Sequence, residues 1–282
     1  MTYAEAVARV LALRGGEHAG MRPGLERIET LLEALGHPEQ RYALVQVGGT
    51  NGKGSVAALI AACLRAGGRR VGLYTSPHLV SFRERIRVDG EAIPEDAVVD
   101  GVEAVGTLVA RVDATMFEAT TAMALDHFAR EAVDVAVLEV GLGGRLDATT
   151  VGVPAATVIA RIDLDHQEVL GATLTAIAAE KAAIIRAGLA IAAAQDAAAT
   201  EVLVARAAEA GVELLLEGRD LVVFLESRRP EAQWIECRGP GFHLTRVELG
   251  LAGTFQPSNA LLAVAAARAL GVAEPALRAG LA

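Results

Sequence analysis

Cysteine is scarce. Cys63 and Cys237 are the only two in 282 residues, far apart and in neither CxxC nor zinc-ligand spacing, which argues against a disulfide framework and fits a reducing compartment. Both read as buried thiols. Long hydrophobic runs are equally absent: no apolar stretch reaches the roughly 18 residues needed to span a bilayer, and the opening MTYAEAVARVLALRGG has no basic segment ahead of an apolar one. The expected location is therefore cytoplasmic, with no membrane partner. Basic runs are missing too. With 26 Lys+Arg against 35 Asp+Glu and a net charge of -9, a phosphate backbone would be repelled, so nucleic acid is not an expected partner. An anionic ligand would need local positive potential.

What the chain does have is a globular balance of 52% hydrophobic and 22% charged residues, with 29 glycines, long enough to bury a substantial core. Apolar spacing of three and four predicts helices over Tyr3 to Leu13 and Leu25 to Leu35. The apolar run Tyr42 to Val47 then enters GGTNGKGS, followed by a helix up to Gly67 and a strand RVGLYT. Helices are predicted from Pro94 to Val112, Phe117 to Glu131 and Thr173 to Arg186, with strands DVAVLEV and ATVIAR between them. The Ala-rich stretch Leu189 to Ala210 reads as helix by propensity. Past Gly211, short alternating segments such as LVVFLES and FHLTRVEL predict an antiparallel patch, and SNALLAVAAARAL a last helix. The fold class is α/β: a mostly parallel sheet built around a phosphate-type loop and flanked by helices, with a small antiparallel β patch near the C-terminal part.

GGTNGKGS, Gly48 to Ser55, is the sharpest feature. Between a strand and a helix, glycines let backbone N–H groups turn around phosphate oxygens, and Lys53 would reach the terminal phosphates. The strict Walker pattern is missed, since Val47 and Gly54 stand where it needs Gly and Ser or Thr; an ordinary glycine-rich turn is the bland reading. Glu139 ends a strand, as a magnesium-orienting carboxylate or as solvated rim. Asp163, Asp165 and His166 follow another strand, His166 reading either as a metal ligand or as a hydrogen-bonded structural residue. Lys181 lies on an Ala- and Ile-rich helix. Such a lysine is either buried and then paired, neutralised or modified, or it snorkels to the surface beside Glu180.

Taken in order, PGLERI near Pro23, VGGTNGKGS, YTSPHLVSFRERIRVDG, TMFEATTAMALDHF, LEVGLGGRLDAT, DLDHQEVLG, EKAAIIR and FQPSNALLA resemble the folate branch of the Mur ligase family, the dihydrofolate and folylpolyglutamate synthases. The resemblance implies that Thr50, Asn51, Gly52, Lys53, Gly54 and Ser55 bind the phosphates of ATP. It implies that Ser76, Glu139, His166 and Lys181 hold two magnesium ions, Lys181 as a carbamate, with Lys53, Lys181 and His166 as catalytic residues. It places Phe117 and Glu118, beside Thr115 and Met116, and Leu146, Asp147 and Ala148 on the pterin side, and Asn259 at the adenine. His78, Arg83 and Arg85 would either steer substrate carboxylates or form a solvated loop.

The implied reaction is ATP-dependent amide formation: a carboxylate of dihydropteroate or a reduced folate becomes an acyl phosphate, and the amine of L-glutamate displaces phosphate. No covalent enzyme nucleophile is required, and a monomer is expected. Thr150 stands where the family has Asn, which touches a substrate-side hydrogen bond, and Asp163 adds a carboxylate near the implied metals. Family members continue into a second, Rossmann-like domain, so residues 1–282 are expected to form the ATP-binding domain, with that second domain outside this chain. Two rivals stay open: a cell-wall Mur ligase taking a uridine-nucleotide substrate, and a non-catalytic ATP-binding module.

Overall fold

A strand that is apolar on both faces must be covered on both faces, and the helices of this chain are distributed to do that. The computed structural model describes residues 1–14, 24–229 and 232–282; Pro23 of the PGLERI motif lies outside them. In chain order the elements are α1 (Tyr3–Leu11), α2 (Glu26–Ala34), β1 (Ala43–Gly48), α3 (Lys53–Ala66), β2 (Val71–Tyr74), β3 (Ile86–Val88), β4 (Glu91–Ala92), α4 (Glu95–Val112), α5 (Met116–Arg130), β5 (Val135–Glu139) and β6 (Pro154–Ile159). They continue as α6 (Gln167–Leu170), α7 (Leu174–Ala182), β7 (Leu189–Ala192), α8 (Ala197–Ala210), β8 (Glu213–Leu216), β9 (Val222–Arg228), β10 (Gln233–Gly239), β11 (Phe242–Leu249), α9 (Gln256–Ala269) and α10 (Glu274–Leu281).

The main sheet has eight strands in the order β4-β3-β2-β5-β1-β6-β7-β8, parallel except for β3 and β4 at one edge. A second sheet, β11-β10-β9, is antiparallel. The α/β reading and the antiparallel patch both match this architecture. Successive residues of each strand serve opposite faces. Val45, Val47, Val135, Val137 and Val158 join α3, α9, α10 and the small sheet in one core. On the other face, Leu44, Ala136 and Leu138 pack with α1, α2, α4 and α5, while Ile159, Ala190 and Ala192 pack with α7 and α8.

Three expectations need correction. The Ala-rich run Leu189 to Ala210 is not one helix: Leu189–Ala192 is β7, paired in parallel with β6 and β8, and only Ala197–Ala210 is helical. The helix expected to reach Arg186 stops at Ala182, because Ile184 and Ile185 turn into the core and the Ile184 carbonyl accepts from the Thr157 hydroxyl at 3.3 Å. The segment expected as a loop after RVGLYT is instead ordered by a capped 3-10 turn, Phe82–Arg85, leading into the antiparallel hairpin β3–β4. Among the described residues, no helix is long and apolar enough to cross a membrane.

Candidate functional site

At the carboxyl end of β1, between β5 and β6, the chain turns through Gly49 to Gly52 before α3 begins at Lys53. The turn is tied to the end of β6: the amides of Thr50 and Asn51 donate to the Arg161 carbonyl at 2.8 and 3.1 Å, and the Thr50 hydroxyl donates to the Asp163 carbonyl at 3.1 Å. Two positions demand glycine. At Gly49, φ is +132° and a Cβ would lie 2.9 Å from the Ala160 side chain; at Gly52, φ is +91° and a Cβ would lie 2.6 Å from Asn259 Oδ1. Both conformations are ones that side chains disfavour. The loop delivers the N-terminus of α3, with its unpaired amides and positive end of the helix dipole, to the edge where parallel sheets gather ligands.

Three charged side chains stand at the loop. Lys53, first residue of α3, curls back to donate to the Thr50 carbonyl at 3.2 Å. Lys181 is only 4% exposed and donates to the Gly49 carbonyl at 2.9 Å. Burial first, and then the charge of Lys53, pull its ammonium down to about 8, against smaller opposing effects of Asp165 and Asp147. The surface-snorkelling reading of Lys181 therefore fails, and Glu180 pairs with Arg145 instead at 3.0 Å. Glu139 ends β5 behind Gly54; its Oε2 accepts from the Ser76 amide at 3.0 Å. Burial raises the Glu139 carboxyl above the ordinary carboxylate range, with the Ser76 amide and Lys53 pulling the other way. Two ammoniums around one loop provide the local positive potential that a chain of net charge -9 otherwise lacks.

A buried carboxylate with a serine next to it in space offers oxygen donors of the kind hard cations take, so the chemistry of Glu139 and Ser76 fits magnesium. His166 lies on the same sheet edge, after β6, but its ring is exposed, with the Asp165 carboxylate 3.6 Å away. Asp163 is exposed as well. Among the described residues no three His, Cys, Asp or Glu side chains converge into a metal cluster.

The residues read as substrate-side behave differently from one another. Phe117 lies against Gly141 and is tilted onto Tyr74 with ring centroids 5.9 Å apart. Glu118 is spent inside the protein: it accepts from the Thr115 amide at 2.7 Å, closing a capping box, and from Arg27 Nε at 2.9 Å. Asp147 is spent likewise, accepting from the Leu142 and Thr149 amides at 2.9 Å each and from the Thr149 hydroxyl at 2.5 Å. Ala148 is buried and Leu146 half-buried. Thr150 is tied into the protein: its buried hydroxyl donates to the Gly144 carbonyl and accepts from Gln46 Nε2, both at 2.7 Å. Both loop arginines have partners within the protein. Arg85 is buried and donates to His78 Nδ1 at 2.8 Å, and Arg83 donates to the Ile93 carbonyl at 2.5 Å.

Asn259, expected at the adenine, abuts Gly52 of the loop; Gln256, on the same helix, was not singled out. The Gln256 amide donates to Ser55 Oγ at 3.4 Å and its carbonyl oxygen accepts from Asn259 Nδ2 at 3.0 Å. The signal available was its position three residues before Asn259, one turn away on the same helix face. Arg161, whose carbonyl anchors the loop, was also missed; a backbone acceptor leaves no mark on residue identity.

Comparison with known proteins accords with this geometry. Residues 47–267 match the Mur ligase middle domain. The chain is 38% identical to a folylpolyglutamate synthase of Lacticaseibacillus casei over 95% of its own length and 64% of that protein's. It is 36% identical to a dihydrofolate synthase/folylpolyglutamate synthase of Bacillus subtilis over 93% of its length, again covering 64% of the relative. The chain thus spans somewhat less than two thirds of these two relatives. Its fold superposes on a solved FPGS–AMPPCP–folate complex with a TM-score of 0.93 at 36% identity, covering 100% of this chain and 72% of that one. A glycine-specified loop between β1 and α3, a second lysine reaching its backbone from α7, and similarity along nearly the whole chain lead to one conclusion: this chain belongs to the Mur ligase family, on the branch of the folylpolyglutamate and dihydrofolate synthases.

Proposed function

We propose that the chain is the ATP-binding domain of an amide ligase that adds L-glutamate to dihydropteroate, to a reduced folate, or to both, through an acyl phosphate. The observation that carries this reading is the approach of Lys53 and Lys181 to the backbone of one glycine-specified loop, with Glu139 behind it. The loop amides and α3 N-terminus would bind the phosphate chain, and Lys53 would swing from the Thr50 carbonyl to a terminal phosphate oxygen. Ser76, Glu139 and His166 would hold magnesium, with the oxygens of a carbamate on Lys181 helping to place a second ion; bound there, magnesium supplies charge neutralisation to the transferring phosphoryl group. Lys181 as a carbamate is supported by its amine, which needs to be neutral to react with carbon dioxide and is held near 8 by burial and by Lys53. Positioning and electrostatics would carry most of the catalysis.

A cell-wall ligase is the weaker alternative, since the similarity to folylpolyglutamate synthases runs through nearly the whole chain. A ligation assay with Mg-ATP, glutamate and either dihydropteroate or tetrahydrofolate tests the reading and ranks the two acceptors. In the same assay Lys53→Ala is expected to abolish turnover, by about 100-fold or more as for a lost transition-state donor, with an unchanged circular dichroism spectrum. Normal glutamate ligation by that variant would refute the loop assignment.

A further inference from the structure

A phosphate loop accounts for one end of a nucleotide; for the base, the resemblance supplies only Asn259 and no surface to stack on. Beside the loop, the first turn of α9 touches it twice, through Gln256 on Ser55 and Asn259 against Gly52. Immediately before Gln256 stands Phe255, 79% exposed. The other phenylalanines are buried or half-buried except Phe224, which has the Arg238 guanidinium over its ring. No ring or cation among the described residues covers Phe255.

Its exposure is not the looseness of a free loop. Gln233, buried in β10, donates through its amide to the Leu251 carbonyl at 2.8 Å and the Gly253 carbonyl at 3.0 Å. The Phe255 carbonyl in turn accepts from the Asn259 amide at 3.2 Å as α9 starts. An apolar ring is thus held on an anchored backbone, in water, one helical turn from an amide side chain that abuts the phosphate loop. A flat heteroaromatic base requires just such a pair, an apolar face to stack on and an amide for its polar edge.

Resting on the ATP reading above, we propose that Phe255 is the stacking platform for the base of the bound nucleotide and makes this chain prefer a nucleotide over a bare phosphate chain. The test is calorimetric titration of the 282-residue protein with ATP and with inorganic tripolyphosphate, each with magnesium. Base stacking on an aromatic ring is sensitive to its removal, so Phe255→Ala should bind ATP about tenfold more weakly. Tripolyphosphate affinity should not move, and Phe255→Trp should restore ATP binding. Unchanged ATP affinity in Phe255→Ala overturns the proposal; so does an equal loss for ATP and tripolyphosphate, which would indicate a distorted loop, or a tryptophan variant that fails to restore binding. Wild-type protein binding both ligands equally tightly also overturns it while leaving the phosphate loop standing. Wild-type protein binding neither removes the phosphate-loop reading itself.

Discussion

Lys181 is the residue whose burial has the most measurable consequence. The unfolded chain keeps its proton up to the ordinary value of 10.5, whereas in the fold the ammonium gives it up near 8, because burial and the neighbouring Lys53 disfavour the charge. Between those values the unfolded state binds more protons, so this group adds stability as pH rises from about 8 to 10.5, and below 8 its full cost is present. Lys181→Met removes the titration. Urea unfolding of both proteins in buffer free of carbon dioxide should therefore show the variant's stability relative to wild type greatest near pH 7 and declining towards pH 10.5. Cys63 and Cys237, both pushed up to about 12 by burial, destabilise the fold at high pH in the opposite sense, but they are common to both proteins and cancel in the difference. A difference that stays flat with pH would mean that Lys181 titrates normally and is not held in the apolar surroundings described.

Among the elements, the loop from Gly141 to Thr150 is held by its own polar side chains and by α7, where Glu180 takes both the Arg145 amide at 3.1 Å and its guanidinium at 3.0 Å. Thr150 is the bracket that joins it to β1, with one hydroxyl serving both Gly144 and Gln46 at 2.7 Å. Thr150→Val keeps the shape and deletes both bonds; the Gly144 carbonyl keeps the Asp147 amide at 3.2 Å and the Gln46 amide keeps the Thr149 hydroxyl at 3.3 Å, so the two lost bonds together should cost about 1–3 kcal/mol, or several degrees in Tm for a chain this size. Thr150→Ser should retain most of that stability; calorimetric transitions that coincide for the valine variant and wild type would place the hydroxyl outside the loop's support. Elements of this kind mark where the sequence stops being readable. The phosphate loop, α3, α4, α5 and the central strands were legible because period and punctuation agree over ten or more residues or over a strand bounded by glycines. Leu189–Ala192 was not, since four apolar residues among alanines suit a helix equally well and only pairing with β6 and β8 decides. The site divides the same way. Lys53 and Gly52 are dictated by local geometry, but whether Glu118, Asp147 and Thr150 face a substrate or their own backbone depends on loop paths that residue identity does not encode.

At the scale of the whole molecule, α3 is the axis: Lys53 stands at its N-terminus in the site, and its middle and C-terminal turns are clasped by α9 and α10 on the face away from α5. The clasp has a built-in reporter. Cys63, on α3, is wholly buried, and its Sγ lies 3.7 Å from the Leu277 carbonyl of α10. Burial leaves the thiol protonated up to about 12, so the intact protein should react very slowly with a thiol reagent near neutral pH, where only the thiolate attacks. Leu277→Ala empties a fully buried position in that clasp and should cost about 2–5 kcal/mol in urea unfolding. If α10 can lift from α3 as a local unit, its destabilisation raises the open population directly. Cys63 should then label much faster in the variant while Cys237, buried in β10 against β9 and β11, stays slow, as peptide mass spectrometry of labelled protein would resolve. Equal acceleration of both cysteines would show instead that α10 opens only with global unfolding, so that the position of Lys53 is secured by the cooperative fold and not by this clasp alone.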